Sequence, residues 1–121
     1  MPWQARKAQL NRSLTEATWY AYKNSPTMHK RMANLGVDPQ DIKTIEDLFK
    51  IPVTRKDELI KIQKECPPFG GLLAVPIERL ERIYLSPGPI FDPHQADAYA
   101  RCATTLYAAG FRENDIVLNT L

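Results

Sequence analysis

Metal-ligating side chains are scarce in this 121-residue chain, which has two cysteines and two histidines. Cys66 and Cys102 have no C-x-x-C partner, and His29 and His94 stand without ligand-like company, so no metal site is expected. The same isolation reads both cysteines as free thiols of a cytoplasmic protein. No apolar run is long enough to cross a bilayer and the N-terminus has no signal-peptide pattern, so no membrane partner is expected. A one-sided charge is missing too: 16 Lys and Arg against 14 Asp and Glu leave +2, scattered along the chain. That balance argues against a nucleic-acid partner. The composition is that of an ordinary globular protein, and the length suits one domain or a piece of a larger one.

Proline, by contrast, is plentiful, and from Pro52 to Pro93 it punctuates a segment of short elements. Inside that segment lies Arg82-Ile83-Tyr84-Leu85-Ser86-Pro87-Gly88-Pro89-Ile90-Phe91-Asp92-Pro93. Its apolar start predicts a strand, Ser-Pro-Gly-Pro a rigid turn, and Asp92-Pro93 the opening of a long helix. Strand, small-residue loop and helix start are the arrangement that holds anions, because the first helical N–H groups are unpaired and the dipole is positive there. Yet the loop has no lysine, no threonine and one glycine. A rigid strand-to-helix connector, with Asp92 as cap, accounts for the same residues.

Earlier in the chain, apolar spacing predicts a helix from Arg6 to Asn24 with Leu10, Leu14, Ala17 and Ala21 on one face. Trp19, Tyr20 and Tyr22 read as core packing. Ser25 caps a second helix with Pro26 at its first position, ending near Asn34 with Gly36 just beyond. Thr44 caps a short helix whose Leu48 and Phe49 are expected to face inward. Thr54 opens another through about Glu65, leaving Arg55 and Lys56 solvated with no catalytic role. Glu78, Arg79, Glu81 and Arg82 read as a solvated charged face. The helix after Pro93 runs to Ala109 and Gly110, and Ile116-Val117-Leu118 begins a second strand. The fold class is therefore α/β: a helical region, 1–78, leading into a first strand-helix-strand unit, 79–121. Such a unit belongs to a larger parallel sheet, so the chain is expected to be the N-terminal portion of a longer protein.

Several stretches in succession resemble the N-terminus of phenylacetate-CoA ligases, a branch of the adenylate-forming (AMP-binding) superfamily. Tyr22-Lys23-Asn24-Ser25-Pro26 is similar to that family's Y-x-N-S/V-P-F-Y, and Gly36 to Leu48 to its G-x-x-P-x-D-I-x-T-L-E-D-L. Ile51-Pro52-Val53-Thr54-Arg55-Lys56-Asp57-Glu58-Leu59 resembles L-P-F-T-T-K-x-D-L. Pro68 to Pro76 resembles Y-P-F-G-L-x-A-V-P with one inserted glycine. Family members continue into R-I-H-A-S-S-G-T-T-G-K-P, the loop that wraps the ATP phosphates. Here Ser86, Gly88 and Pro93 keep phosphate-loop positions. In an ungapped alignment Pro89 and Ile90 replace the threonines, Phe91 the glycine and Asp92 the lysine. A gap after Gly88 restores none of these groups.

The resemblance implies ATP, Mg and CoA for a full-length protein that activates an aryl or short-chain acid and then forms a thioester. Its catalytic residues would lie beyond Leu121, so none is assigned here and this chain alone is expected to be inert. Its partner would be the remainder of its own chain, with a homo-oligomer as a further possibility. Pro87 and Pro89 each remove an N–H donor, and Asp92 would repel phosphate. A non-catalytic relative and a small helical interaction or oligomerisation module are the alternatives.

Overall fold

The chain was described from a computed structural model covering residues 2–96 and 98–118. Its order is α1 (Trp3–Asn24), α2 (Pro26–Leu35), short 3-10 turns at Pro39–Asp41 and Ile45–Lys50, then α3 (Lys56–Glu65). A third 3-10 turn (Ile77–Arg79) leads into β1 (Arg82–Ser86), β2 (Ile90–His94) and α4 (Ala98–Ala108). The mainly helical reading holds, and the first two helices end as their cap residues dictate. Ser25 Oγ accepts the Met28 N–H at 3.3 Å with Pro26 in the first turn. Gly36 takes the left-handed conformation that closes α2.

The core is small: Met32 and Ile42 are wholly buried, with Phe69 and Ile90 nearly so. Much of the assembly is held by polar side chains that bond to backbone. Asn11 Oδ1 accepts the Ile45 N–H at 3.0 Å, and Thr15 Oγ1 donates to the Ile42 carbonyl at 3.3 Å. Arg31 donates to Thr54 Oγ1, Glu58 Oε1 and the Pro52 carbonyl, joining α2 to the start of α3. The α2 N-terminus also grips the tandem glycines. Ser25 Oγ and the Thr27 N–H both donate to the Gly71 carbonyl, and Thr27 Oγ1 donates to the Gly70 carbonyl.

Some local expectations are corrected. Leu48 and Phe49 are 47% and 82% exposed, not inward-facing, because a 3-10 turn offers no continuous apolar stripe. Tyr20 is half exposed, although its hydroxyl donates to the Ala74 carbonyl at 2.9 Å. Trp19 and Tyr22 are half buried in edge-to-face contact, and the buried residue of α1 is Thr18. Asp92 and Pro93 do not open a helix. They belong to β2, which pairs antiparallel with β1 in the register Tyr84↔Asp92 and Ile83↔Pro93. Ile116, Val117 and Leu118 form no strand among the described residues and are exposed.

Two stability tests follow from this architecture. A Cβ at Gly70 would overlap Ile62 Cγ2 and sit 3.1 Å from the Ile62 backbone, whereas one at Gly36 meets nothing within 4 Å. Gly36→Ala should therefore cost about 1 kcal/mol for its left-handed backbone alone. Gly70→Ala, which adds overlap in a filled space, should cost about 2–4 kcal/mol. Denaturant midpoints of the two variants compare them directly, and equal losses would contradict the packing argument.

The second test concerns acid. The Lys50 ammonium at 2.8 Å, with the Thr44 and Lys43 N–H groups and the Thr44 hydroxyl, holds the Asp47 carboxyl well below the usual carboxylate range. The unfolded chain thus binds this proton more tightly than the folded one. The stabilisation is complete above about pH 5 and is lost as pH falls below about 4, towards the depressed folded value. Asp47→Asn should lower the unfolding midpoint at neutral pH and flatten its fall between about pH 5 and pH 2. Parallel curves for variant and wild type would show that Asp47 is not responsible.

Candidate functional site

The stretch from Arg82 to Pro93 folds as a hairpin because two short strands, each with an apolar pair or trio next to polar residues, flank a Pro87-Gly88-Pro89 turn. Gly88 supplies the positive φ, 111°, that the turn demands. The hairpin lies against α3. A Cβ placed on Gly88 would be 3.5 Å from Lys56 Cε, 3.6 Å from Ile60 Cδ1 and 3.8 Å from Lys56 Nζ. Two residues past the turn, the Gln63 side chain accepts the Phe91 N–H and donates to the Phe91 carbonyl, both at 2.9 Å. The Phe91 ring meets Phe69 edge-to-face at 6.5 Å.

Between α3 and the hairpin is an open cleft of about 570 Å³. Leu59, Leu72, Ile90 and Phe91 form its apolar walls, and Thr54, Arg55, Lys56, Ser86 and Asp92 its polar rim. Ser86 lines this cleft and Gly88 faces the Lys56 side chain, which an added Cβ would just meet. Pro93 is separate from both: it borders an adjoining recess of about 250 Å³ with Phe69, Leu73 and Ala74. Of the three phosphate-loop positions, Ser86 lines the cleft, Gly88 lies beside Lys56, and Pro93 borders a recess that shares Leu59, Leu72, Phe91 and Asp92 with the cleft.

Arg55 and Lys56 are exposed, in line with the solvated reading from the sequence, and supply the cations of this rim. No local signal marks them, since the turn they face is some thirty residues later in the chain. The turn itself is poor in donors. Pro87 and Pro89 have no N–H, leaving the Gly88 N–H and the Ser86 hydroxyl. Asp92 adds negative charge on the rim, with His94 Nε2 at 3.2 Å from its Oδ2. Both cysteines are free and exposed, and among the described residues no group of three His, Cys, Asp or Glu side chains could hold a metal. The cleft can hold a group that combines negative charge with an apolar body.

No protein-family model matches the chain. It is 34% identical over 122 residues to the phenylacetate-coenzyme A ligase of Aromatoleum evansii, covering 94% of this chain and 26% of that protein. Against the ligase of the same name from Pseudomonas putida it is 33% identical, covering 93% of this chain and 26% of that one. The Escherichia coli protein is 35% identical over 74 residues, 61% of this chain and 16% of its own length. Among solved structures, 2-hydroxyisobutyryl-CoA ligase in its postadenylation state shares the fold, with a TM-score of 0.85 at 24% identity over 95% of this chain and 26% of that one. The same ligase in its thioesterification state gives 0.75 at 23% identity, over 87% and 23%. The chain spans about a quarter of the length of the curated relatives it matches. By sequence and by fold it is therefore a phenylacetate-coenzyme A ligase-like member of the adenylate-forming superfamily, matching the N-terminal region of such an enzyme.

Proposed function

We propose that this chain is the N-terminal part of an AMP-forming acyl-CoA ligase-like protein. The single observation that carries this is the 34% identity to a phenylacetate-coenzyme A ligase, sustained over 94% of the chain. In the whole protein an aryl or short-chain carboxylate attacks the α-phosphorus of ATP, releasing pyrophosphate and forming an acyl adenylate. The thiol of CoA then displaces AMP to give the thioester. Residues 1–78 form the helical N-terminal region, and 79–121 begin the nucleotide-binding α/β part.

Within that reaction the described residues bind and orient. Ser86 and Gly88 offer one hydroxyl and one N–H to the nucleotide phosphates, while Lys56 and Arg55 face them across the cleft. Cationic charge thus comes from α3 in place of a lysine in the loop. Mg²⁺ that arrives with ATP takes most of its ligands from the phosphates and water and needs only one or two carboxylates from the protein; Asp92 is the carboxylate on this rim. The exposed apolar side chains Leu106, Tyr107, Ile116 and Leu118 are surface for the remainder of the protein to cover.

A non-catalytic relative is the second reading, favoured by the two prolines and Asp92 at the phosphate-loop positions. AMP release by the full-length protein, mixed with Mg-ATP, CoA and a panel of aryl and short-chain acids, separates the two. Acid-dependent AMP is expected, together with a rise of about tenfold in the KM for ATP in Lys56→Ala, equivalent to about one lost charged contact. No AMP, with no shift in melting temperature on adding ATP, would mean that the fold has been kept without the reaction.

A further inference from the structure

Gln63 is a polar side chain in an apolar place. It is 8% exposed, in the last turns of α3, and both ends of its amide are used on one residue 28 positions away. The two backbone groups of Phe91 that it binds point away from β1, where a neighbouring strand would otherwise meet them. Lys56, Ile60 and Gln63 are four and then three residues apart, so they share one face of α3. Lys56 and Ile60 lie beside the turn at Gly88, within reach of an added Cβ, and Gln63 holds the strand that leaves it. One helix face therefore sets both ends of the segment Gly88 to Phe91.

We propose that Gln63 is the positioning residue of the phosphate-loop segment. By fixing the Phe91 backbone it holds the turn, with Ser86 and Gly88, at a set distance from the α3 cations. The segment is thus a rigid platform that does not close over its ligand. Its role toward phosphate rests on the ligase reading given above, while its hold on the hairpin does not. An amide makes this arrangement selective, because one atom must accept and the other must donate. Leucine can do neither. An ionised glutamate still accepts the Phe91 N–H but turns a second acceptor toward the Phe91 carbonyl. A protonated glutamic acid restores the donor, and burial raises the pH at which that proton is held.

The test uses the full-length protein with Gln63→Leu and Gln63→Glu, and reads hydrogen exchange at the Phe91 amide corrected for intrinsic pH dependence. The Thr27 amide, bonded to the Gly71 carbonyl, serves as a distant reference. Gln63→Leu should speed Phe91 exchange by about tenfold or more at every pH, leaving Thr27 unchanged. Gln63→Glu should be fast at about pH 8 and return to the wild-type rate near pH 5. Exchange at Phe91 that is unaltered, that rises equally at Thr27, or that shows no recovery in the glutamate variant would overturn the proposal. With a wild type that releases AMP, the KM for ATP should follow the same pattern while kcat changes little, and a constant KM beside faster exchange would overturn the role toward phosphate. A wild type that releases no AMP defeats the ligase reading alone, with exchange still deciding the clamp.

Discussion

The grip of the α2 N-terminus on Gly70 and Gly71 is the constraint on which the rest of the structure depends. Two carbonyls from the tandem glycines satisfy the donors of Ser25 and Thr27, which would otherwise be left unpaired in a buried place. Both glycines need positive φ to present those carbonyls, and a side chain at either would strike Ile62 or Thr27. The contact brings α3 and the segment after it onto the first two helices. It places Phe69 in the small core, where its ring receives Phe91 from the hairpin. An inserted glycine, relative to the family pattern, is thus part of a junction and not slack in a loop.

From that junction outward, the hairpin is organised by α3 rather than by its own sequence. Its turn has lost most of the backbone donors, hydroxyls and positive charge expected of a phosphate loop. What it has instead is a seat on a helix whose cap residue Arg55 and first residue Lys56 are cationic, ahead of Asp57 and Glu58. Rigidity and electrostatics have been divided between two elements that a flexible glycine-rich loop would combine. In the proposed binding role, the backbone of the turn would need little reordering when a ligand arrives, whereas the exposed Arg55 and Lys56 side chains would still have to be ordered.

What could be read from the sequence follows the range of the interactions. Ser25, Pro26 and Gly36 act on backbone groups within a few residues, and the limits of α2 were legible from them. The succession of motifs from Tyr22 to Pro76 was legible for the same reason, and it carried the lineage. Asp92-Pro93 misled because it is a sound helix-start signal locally. It is overridden by strand pairing with Ile83 and Tyr84 and by the side chain of Gln63. Pro93 is tolerated in β2 because its nitrogen falls on the outward side of the strand, two residues from Phe91, where no ladder bond is lost. Gln63 itself had no signature: a glutamine near a helix end is ordinary until the residue it meets is known. Arg55 and Lys56 are solvated as read, and only their place beside the hairpin was hidden in the same way.

The amide of Gln63 has one more effect, on the direction in which the sheet can grow. With the Phe91 groups taken by a side chain and Pro93 unable to donate, β2 is closed to another strand. The opposite margin is different. By the two-residue alternation, the backbone groups of Ile83 and Leu85 face away from β2, and both side chains are more than half exposed. Any enlargement of this sheet must therefore start at β1. Among the described residues no strand adds there, and a margin left so would favour association that grows with protein concentration.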